Sequence, residues 1–219
     1  IDDALLAALS NARPSSLFVA SSGAAALAAR GVDLHPYGLA KLRQEARFLE
    51  WSRKSGVPMI AGRIFNIAGP HINKLEAYAI SNFVLQAKRQ REIAVQARIP
   101  VFRSFLHVND LSRIIIEAGL RGLGRQGPID LCGSEVLEMG DIAALVASAI
   151  GNVPVRREPV DHSSSSVYLG DFTDTKILAM ELGIDLLPLS AQVEDTIGWL
   201  ADPGRQAPQD DGKAAGAGG

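Results

Sequence analysis

Apolar and polar positions follow two rhythms along the chain. In "LHPYGLAKLRQEARFLEWSRKSG", Leu42, Ala46 and Leu49 recur at helical spacing, and Arg43, Gln44, Glu45 and Glu50 form the wet side. Gly56 follows as a C-terminal stop. Two apolar runs flank this helix, "SLFVAS" at 16–21 and "VPMIAGRIF" after Gly56, and both read as buried strands. Strand, amphipathic crossover and strand predict parallel pairing. "DDALLAALSNA" reads as the end of a helix, and "LEAYAISNFVLQAKR", "DLSRIIIEAGL", "MGDIAALVASAIG", "FTDTKILAMELGI" and "LSAQVEDTIGWL" as further helices. "FRSFLHV" is expected to form one strand ending at Asn109 and Asp110, and "GPIDLCG" another; Asp110 is expected to cap the helix it opens. No internal repeat is apparent.

Composition narrows the classes. A chain of 219 residues, 47% hydrophobic and 21% charged, can bury a sizeable core in one or two domains. A net charge of -2 and a pI near 6.1 favour neither nucleic acid nor an anionic membrane as partner. Lys88, Arg89 and Arg91 in "AKRQREI" read as a helix end facing water, since cations suit a helix C-terminus. No apolar run approaches the roughly 18 residues of a membrane span. Cys132 stands alone, which excludes an internal disulfide and fits a reducing compartment, so a cytoplasmic location is expected. The opening "IDDALLAAL" carries acid where a signal peptide would carry base. His35, His71, His107 and His162 show no metal-ligand spacing and read as surface or strand-end residues. Trp51 and Trp199 read as packing residues, and "SSSS" at 163–166 as a loop. The glycines of "GLRGLG" follow a helical run instead of a strand, so they read as a helix exit and not a dinucleotide fingerprint. From about residue 202 the chain is rich in Gly, Pro and Ala without apolar period, and is expected to be disordered or a linker.

Candidate chemistry centres on Ser22, Tyr37 and Lys41. Tyr37 and Lys41 are four apart and share a helix face. A lysine ammonium near a phenol favours the phenolate, and such a tyrosine can move a proton to or from a hydroxyl near neutral pH. Ser22 follows a strand, where functional loops of parallel sheets gather. From spacing alone, two neighbours on a helix surface remain the plainer reading.

The surrounding stretches add to this. "VASSGAA", "YGLAK", "RIFNIAGP", "RSFLHVNDL" and "FTDTKILAMELGI" occur in this order and resemble successive motifs of the extended short-chain dehydrogenase/reductase superfamily. The chain is most similar to its NAD-dependent epimerase/dehydratase family, which acts on nucleotide sugars. The resemblance runs from about residue 1 to 201. It implies an α/β fold: a partial doubly wound, Rossmann-like parallel sheet with a small carboxy-terminal substrate-binding subdomain, core and substrate segments interleaved over 1–201. It implies that Tyr37 is the acid/base, that Lys41 binds the nicotinamide ribose and steadies the tyrosine, and that Ser22 holds the reacting oxygen. Ser21 would lie beside the substrate, Asn66 would face substrate or cofactor, and Arg103 would meet the nucleotide-sugar phosphates. The implied cofactor is NAD or NADP, with NAD favoured; the implied partner is a nucleotide sugar, with neither nucleic acid nor membrane, and a homodimer stays open.

The sequence departs from the family in several places. A Tyr-Gly pair usual after the serines is replaced in the region of "ALAARG", the interval from Ser22 to Tyr37 is short, "RIFNIAGP" has alanine where an aromatic is common, and Ser104 stands where an acid is usual. The family's opening glycine-rich turn is missing from this sequence. The chain is therefore expected to start in the helix before the family's fifth strand, which would leave "SLFVAS" as an open sheet edge. A fragment of a longer protein is the reading adopted, over a half sheet supplied by another chain. The implied activity is epimerase, dehydratase or reductase. The lack of an Asp-Glu pair beside Ser22 favours epimerase or simple reductase. The alternative is a non-catalytic remnant or interaction module of the same fold.

Overall fold

The computed structural model describes residues 1–202, so the expected disordered tail lies outside the described residues, Asp202 apart. Its elements run α1 (Asp2–Ala12), β1 (Leu17–Ser22), α2 (Gly23–Ala29), α3 (Pro36–Ser55), β2 (Met59–Ile64), β3 (Asn66–Ala68), α4 (Ala79–Gln90), β4 (Ile93–Val95), β5 (Val101–Arg103), β6 (Phe105–His107) and α5 (Val108–Leu120). They continue with β7 (Ile129–Leu131), β8 (Leu137–Glu138), α6 (Met139–Ile150), β9 (Val155–Arg157), β10 (Ser166–Tyr168), α7 (Phe172–Leu182) and α8 (Leu189–Ala201). The fold is α/β.

The predicted strand–helix–strand unit is present. β1 and β2 pair in parallel, Leu17 opposite Met59 through Ser22 opposite Ile64, and β7 extends the sheet on the far side of β2. Side chains alternate across a strand, so this sheet has two apolar faces. Val19, Met59 and Ala61 pack against Phe48 and Leu49 of α3 with Leu6 and Leu9 of α1. Ile60, Ile129 and Leu131 pack on the other face against Ile114 and Ala118 of α5 and Leu178 and Leu182 of α7. Helices thus cover both faces, as parallel sheets require. Helix α3 ends as expected at Gly56, whose positive φ of 74° takes the left-handed cap conformation.

A second core gathers α4, α6 and α8 around Ile80, Phe83, Val84, Ile142, Val146 and Val193, with β4 against it. Here the expected single strand "FRSFLHV" proves to be two. Ser104 is buried and breaks the run: β5 joins β10 and β8, while β6 pairs in parallel with β3. The expected cap also moves. His107 caps α5, its Nδ1 accepting from the Asn109 N–H at 3.3 Å, while its Nε2 lies 3.0 Å from an Asp195 carboxylate oxygen. With Nδ1 an acceptor, Nε2 carries the proton. His107 is a strand-end residue, but a fully buried one. Asp110 instead accepts the Leu187 N–H at 2.8 Å, tying α5 to the loop before α8. The 163–166 stretch is loop until Ser166, which opens β10, and α4 ends beside Lys88 and Arg89 as its charge suggested.

Glu138 joins the pieces of this second unit. Its carboxylate accepts Gly140 N–H at the start of α6, the Val101 N–H of β5, and Arg157 of β9 through two bonds of 2.6 and 2.9 Å. Burial pushes its pKa up, but these charge-assisted bonds outweigh it and bring the group down to about 2. A folded-state pKa below the ordinary 4.5 stabilises the fold above that value, and the contribution is lost as pH falls toward about 2. Urea unfolding of the chain from pH 7 to pH 3 should show stability falling through this window. Glu138→Gln should be less stable at pH 7 and flatter across the window. Parallel profiles for the two proteins would contradict the assignment.

Candidate active site

The site forms where β1 ends and α3 begins. Pro36 stands at the first helical position, where its missing N–H costs nothing, and His35 Nδ1 accepts the Tyr37 N–H at 3.2 Å as the cap. This start places Tyr37 in the first turn and Lys41 one turn on. The Tyr37 side chain is half exposed, at 52%. Ser22 closes β1 and opens α2, its hydroxyl accepting the Ala24 N–H at 3.2 Å.

Lys41 Nζ donates to the Ala20 carbonyl at 2.9 Å and to Gln44 Oε1 at 3.1 Å. The Ala20 carbonyl has a particular position. The Leu17 N–H bonds the Pro58 carbonyl on the β2 side. In a parallel ladder alternate residues bond to alternate sides, so the Ala20 groups point away from β2 to the outer edge of β1. An ammonium has three donors, and two are placed here.

One residue of the site escaped the sequence reading. Tyr168, at the end of β10, reaches the Ser22 side chain with its hydroxyl and faces Tyr37. Burial pushes its phenol above the usual range and the neighbouring Tyr37 adds to this, while Ser22, the Ala24 N–H and the Arg103 charge act against it. Its ring lies tilted by 48° against Phe65 with centroids 5.0 Å apart, and the Arg103 guanidinium carbon lies 5.8 Å from its centroid. Gly23 is what admits it: a Cβ there would sit 2.6 Å from the Tyr168 hydroxyl and 2.5 Å from Phe65. No spacing rule links position 168 to position 22. A tyrosine closing a serine-rich loop was the only available signal.

Arg103 therefore belongs to the same group through the Tyr168 ring. Its Nη1 donates to the carbonyls of Phe102 (2.8 Å) and Ser166 (3.2 Å), and its Nη2 to Ser166 Oγ (3.2 Å). Among the described residues no carboxylate pairs with it, and burial lowers its pKa. A half-buried guanidinium held by neutral groups is suited to an anion from outside. Ser21 and Asn66 are not brought into this group. Ser21 is buried, and its hydroxyl donates to Glu45 Oε1 at 2.5 Å; the Asn66 amide donates to the Ser104 carbonyl at 3.1 Å. Cys132 is fully buried, with its thiol pushed up to about 11 by burial, which suits packing and not nucleophilic chemistry.

Ser22 ends β1 and Tyr37 and Lys41 open α3 beside it, with the Tyr168 hydroxyl over Gly23; a phenol at the carboxyl end of parallel strands can move a proton at an alcohol or carbonyl oxygen. The family model described as NAD dependent epimerase/dehydratase family matches residues 3–124. UDP-glucuronic acid decarboxylase 6 of Arabidopsis thaliana is 29% identical over 116 residues, which is 52% of this chain but only 33% of that relative. The UDP-N-acetylglucosamine 4-epimerase of Methanobrevibacter ruminantium M1, solved in complex with UDP-N-acetylmuramic acid, superposes with a TM-score of 0.73 at 15% identity, covering 91% of this chain and 67% of the epimerase. RMD of Pseudomonas aeruginosa complexed with NADPH gives a TM-score of 0.70 at 20% identity, covering 91% and 71%.

Spectrophotometric titration near 295 nm tests the buried phenol. Of the three tyrosines, one should ionise above the ordinary phenol range of about 10. Tyr168→Phe should remove that step and leave the others. A high-pH step that survives in Tyr168→Phe would place the buried phenol elsewhere.

Proposed function

Because the chain belongs to the NAD dependent epimerase/dehydratase family, we propose that it carries the proton-transfer half of an NAD(P)-dependent epimerase or reductase acting on a nucleotide sugar. The observation that carries the reading is the convergence of Ser22, Tyr37, Lys41, Tyr168 and Arg103 at one end of the sheet. Two of the three proteins named above carry UDP-sugar names, and the matched segment is a third of the curated relative's length. In this reading the glycine-rich part of the nucleotide site would lie on residues outside this sequence, since the match covers only 33% of that relative.

In this reading Tyr37 takes the proton of a sugar hydroxyl, and Ser22 holds the same oxygen while it becomes a carbonyl. Lys41 turns its remaining N–H to the ribose of the cofactor. Arg103 meets the phosphates, with Tyr168 spanning the distance from Arg103 to Ser22. The nicotinamide supplies the hydride chemistry when bound; these side chains orient the sugar and move its proton. No Asp-Glu pair stands beside Ser22, where "SSGAA" is apolar after the serines, so reversible oxidation is favoured over dehydration.

The test uses the 219-residue chain and the longer protein that contains it. The chain alone should bind NAD and NADP poorly in calorimetry, since the pyrophosphate is normally held on a helix N-terminus after a glycine turn. Micromolar binding by the chain alone would contradict the missing-half reading. In the longer protein, Tyr37→Phe should reduce turnover of the nucleotide sugar by roughly 10²–10⁴-fold, the usual worth of a placed proton-transfer group. Circular dichroism should show the fold intact. Near-parental turnover in folded Tyr37→Phe would remove the catalytic assignment. Arg103→Ala should weaken nucleotide-sugar binding and spare the melting temperature; the opposite pattern would make Arg103 structural.

A further inference from the structure

Beneath the site lies a polar row, buried at Ser21 and partly buried at Arg63 and Asp130, that the proposed chemistry does not use. Ser21, Arg63 and Asp130 stand opposite one another on β1, β2 and β7, so their side chains share the face covered by α3. Glu45 of α3 reaches down to this row. It is 2% exposed, and Arg63 holds it through two bonds, Nε to Oε1 at 2.9 Å and Nη2 to Oε2 at 2.8 Å. Ser21 donates to the same Oε1 at 2.5 Å. Both the hydrogen bond with Glu45 and the nearby charges of Asp130 and Asp174 raise the Arg63 pKa, against burial.

The spacing matters as much as the pair. Tyr37, Lys41 and Glu45 follow at successive turns of one helix face. Below them, Ala20 and Ser21 are consecutive residues of β1, and each is held from α3: Ala20 by Lys41, Ser21 by Glu45. The next residue is Ser22. Neutralising Arg63 alone would need only the two guanidinium bonds; the third bond, to Ser21, adds nothing to charge balance. It fixes the strand against the helix at the peptide before the reacting serine. Buried ion pairs are poor sources of stability but good sources of defined geometry when every partner is satisfied.

We infer that Glu45 is a positioning residue: clamped by Arg63, it holds Ser21 and thereby sets the end of β1, with Ser22, in register with the helix turn that carries Tyr37 and Lys41. Its consequence for turnover rests on the function proposed above; the geometry itself does not. The Ala24 N–H, bonded to Ser22 Oγ, is the natural reporter of that geometry.

The experiment compares Ser21→Ala, Ser21→Thr, Glu45→Gln and the double variant Ser21→Ala/Glu45→Gln in the 219-residue chain. Amide hydrogen exchange is read at Ala24 and, as a reference, at Val146 in the other core. In Ser21→Ala the Ala24 amide should exchange roughly threefold to tenfold faster, the worth of one hydrogen bond. Val146 should keep its parental rate. Ser21→Thr, which keeps the hydroxyl, should restore Ala24. Relative to Val146, the double variant should leave Ala24 no faster than Glu45→Gln does, because both act through one link. Parental exchange at Ala24 in Ser21→Ala would overturn the inference. So would equal acceleration at Ala24 and Val146, the mark of general destabilisation. In the longer protein, Ser21→Ala should lower kcat with KM unchanged. If that protein turns over no nucleotide sugar, the proposed function fails while the exchange data still decide the role of Glu45.

Discussion

The parallel pairing of β1 with β2 is the constraint on which the rest of the molecule depends. Two parallel neighbours cannot be joined by a hairpin, so the chain must return across the sheet before the second strand begins. Helix α3 makes that return. It must run opposite to the strands, so its N-terminus lies at the carboxyl end of β1. Its 20 residues span about 30 Å, whereas a six-residue strand spans about 20 Å, so the helix outreaches the sheet. The first turn of α3 and the last residue of β1 are thereby brought together by topology. Lys41 meets the Ala20 carbonyl for this reason before any side-chain preference acts.

Much of this was legible because the relevant segments are long and periodic. The helical spacing of Leu42, Ala46 and Leu49 announces α3 and Gly56 ends it as its left-handed cap, but the faces differ from expectation: Glu45, expected on the wet side, is buried because Arg63 and Ser21 bind its carboxylate, and Ala46 is exposed. The apolar runs of β1, β2 and β7 are recognisable without context. What escaped is short or locally neutral. Helix α2 is "GAAALAA", with no polar face to give a period; its small residues fit a tight space, Ala24 and Ala28 facing Gly38 of α3 and Ala26 packing on Phe65 and Cys132. Strands of two or three residues, such as β4, β8 and β9, carry too few positions for alternation to show. The break at Ser104 has no breaker residue: it exists because two different sheets claim the two halves of one apolar run.

The site divides along the same line. Tyr37 and Lys41 lie on one helix, and a fixed spacing exposes them. Tyr168 lies 146 positions from Ser22 and is brought there by β10 pairing with β5, a contact that no local pattern encodes. Ser21 and Ser22 are indistinguishable as letters, yet the pleat sends one hydroxyl inward to Glu45 and leaves the other on the cap of α2. Asp110 looked like a cap by residue type, and His107 took the position because β6 delivers its ring to the first turn of α5.

The bond from Lys41 to the outward carbonyl of Ala20 has a consequence for inheritance. A charge placed on the rim of a sheet discourages another chain from adding itself there. Under the function proposed above, the lysine would answer to two selective pressures, one from chemistry and one from solubility. A descendant that gave up turnover would lose the first and keep the second. In such a lineage the tyrosine should drift before the lysine does, and a "YGLAK" sequence decaying to an aromatic-free "xxLAK" would mark the order in which the two pressures were released.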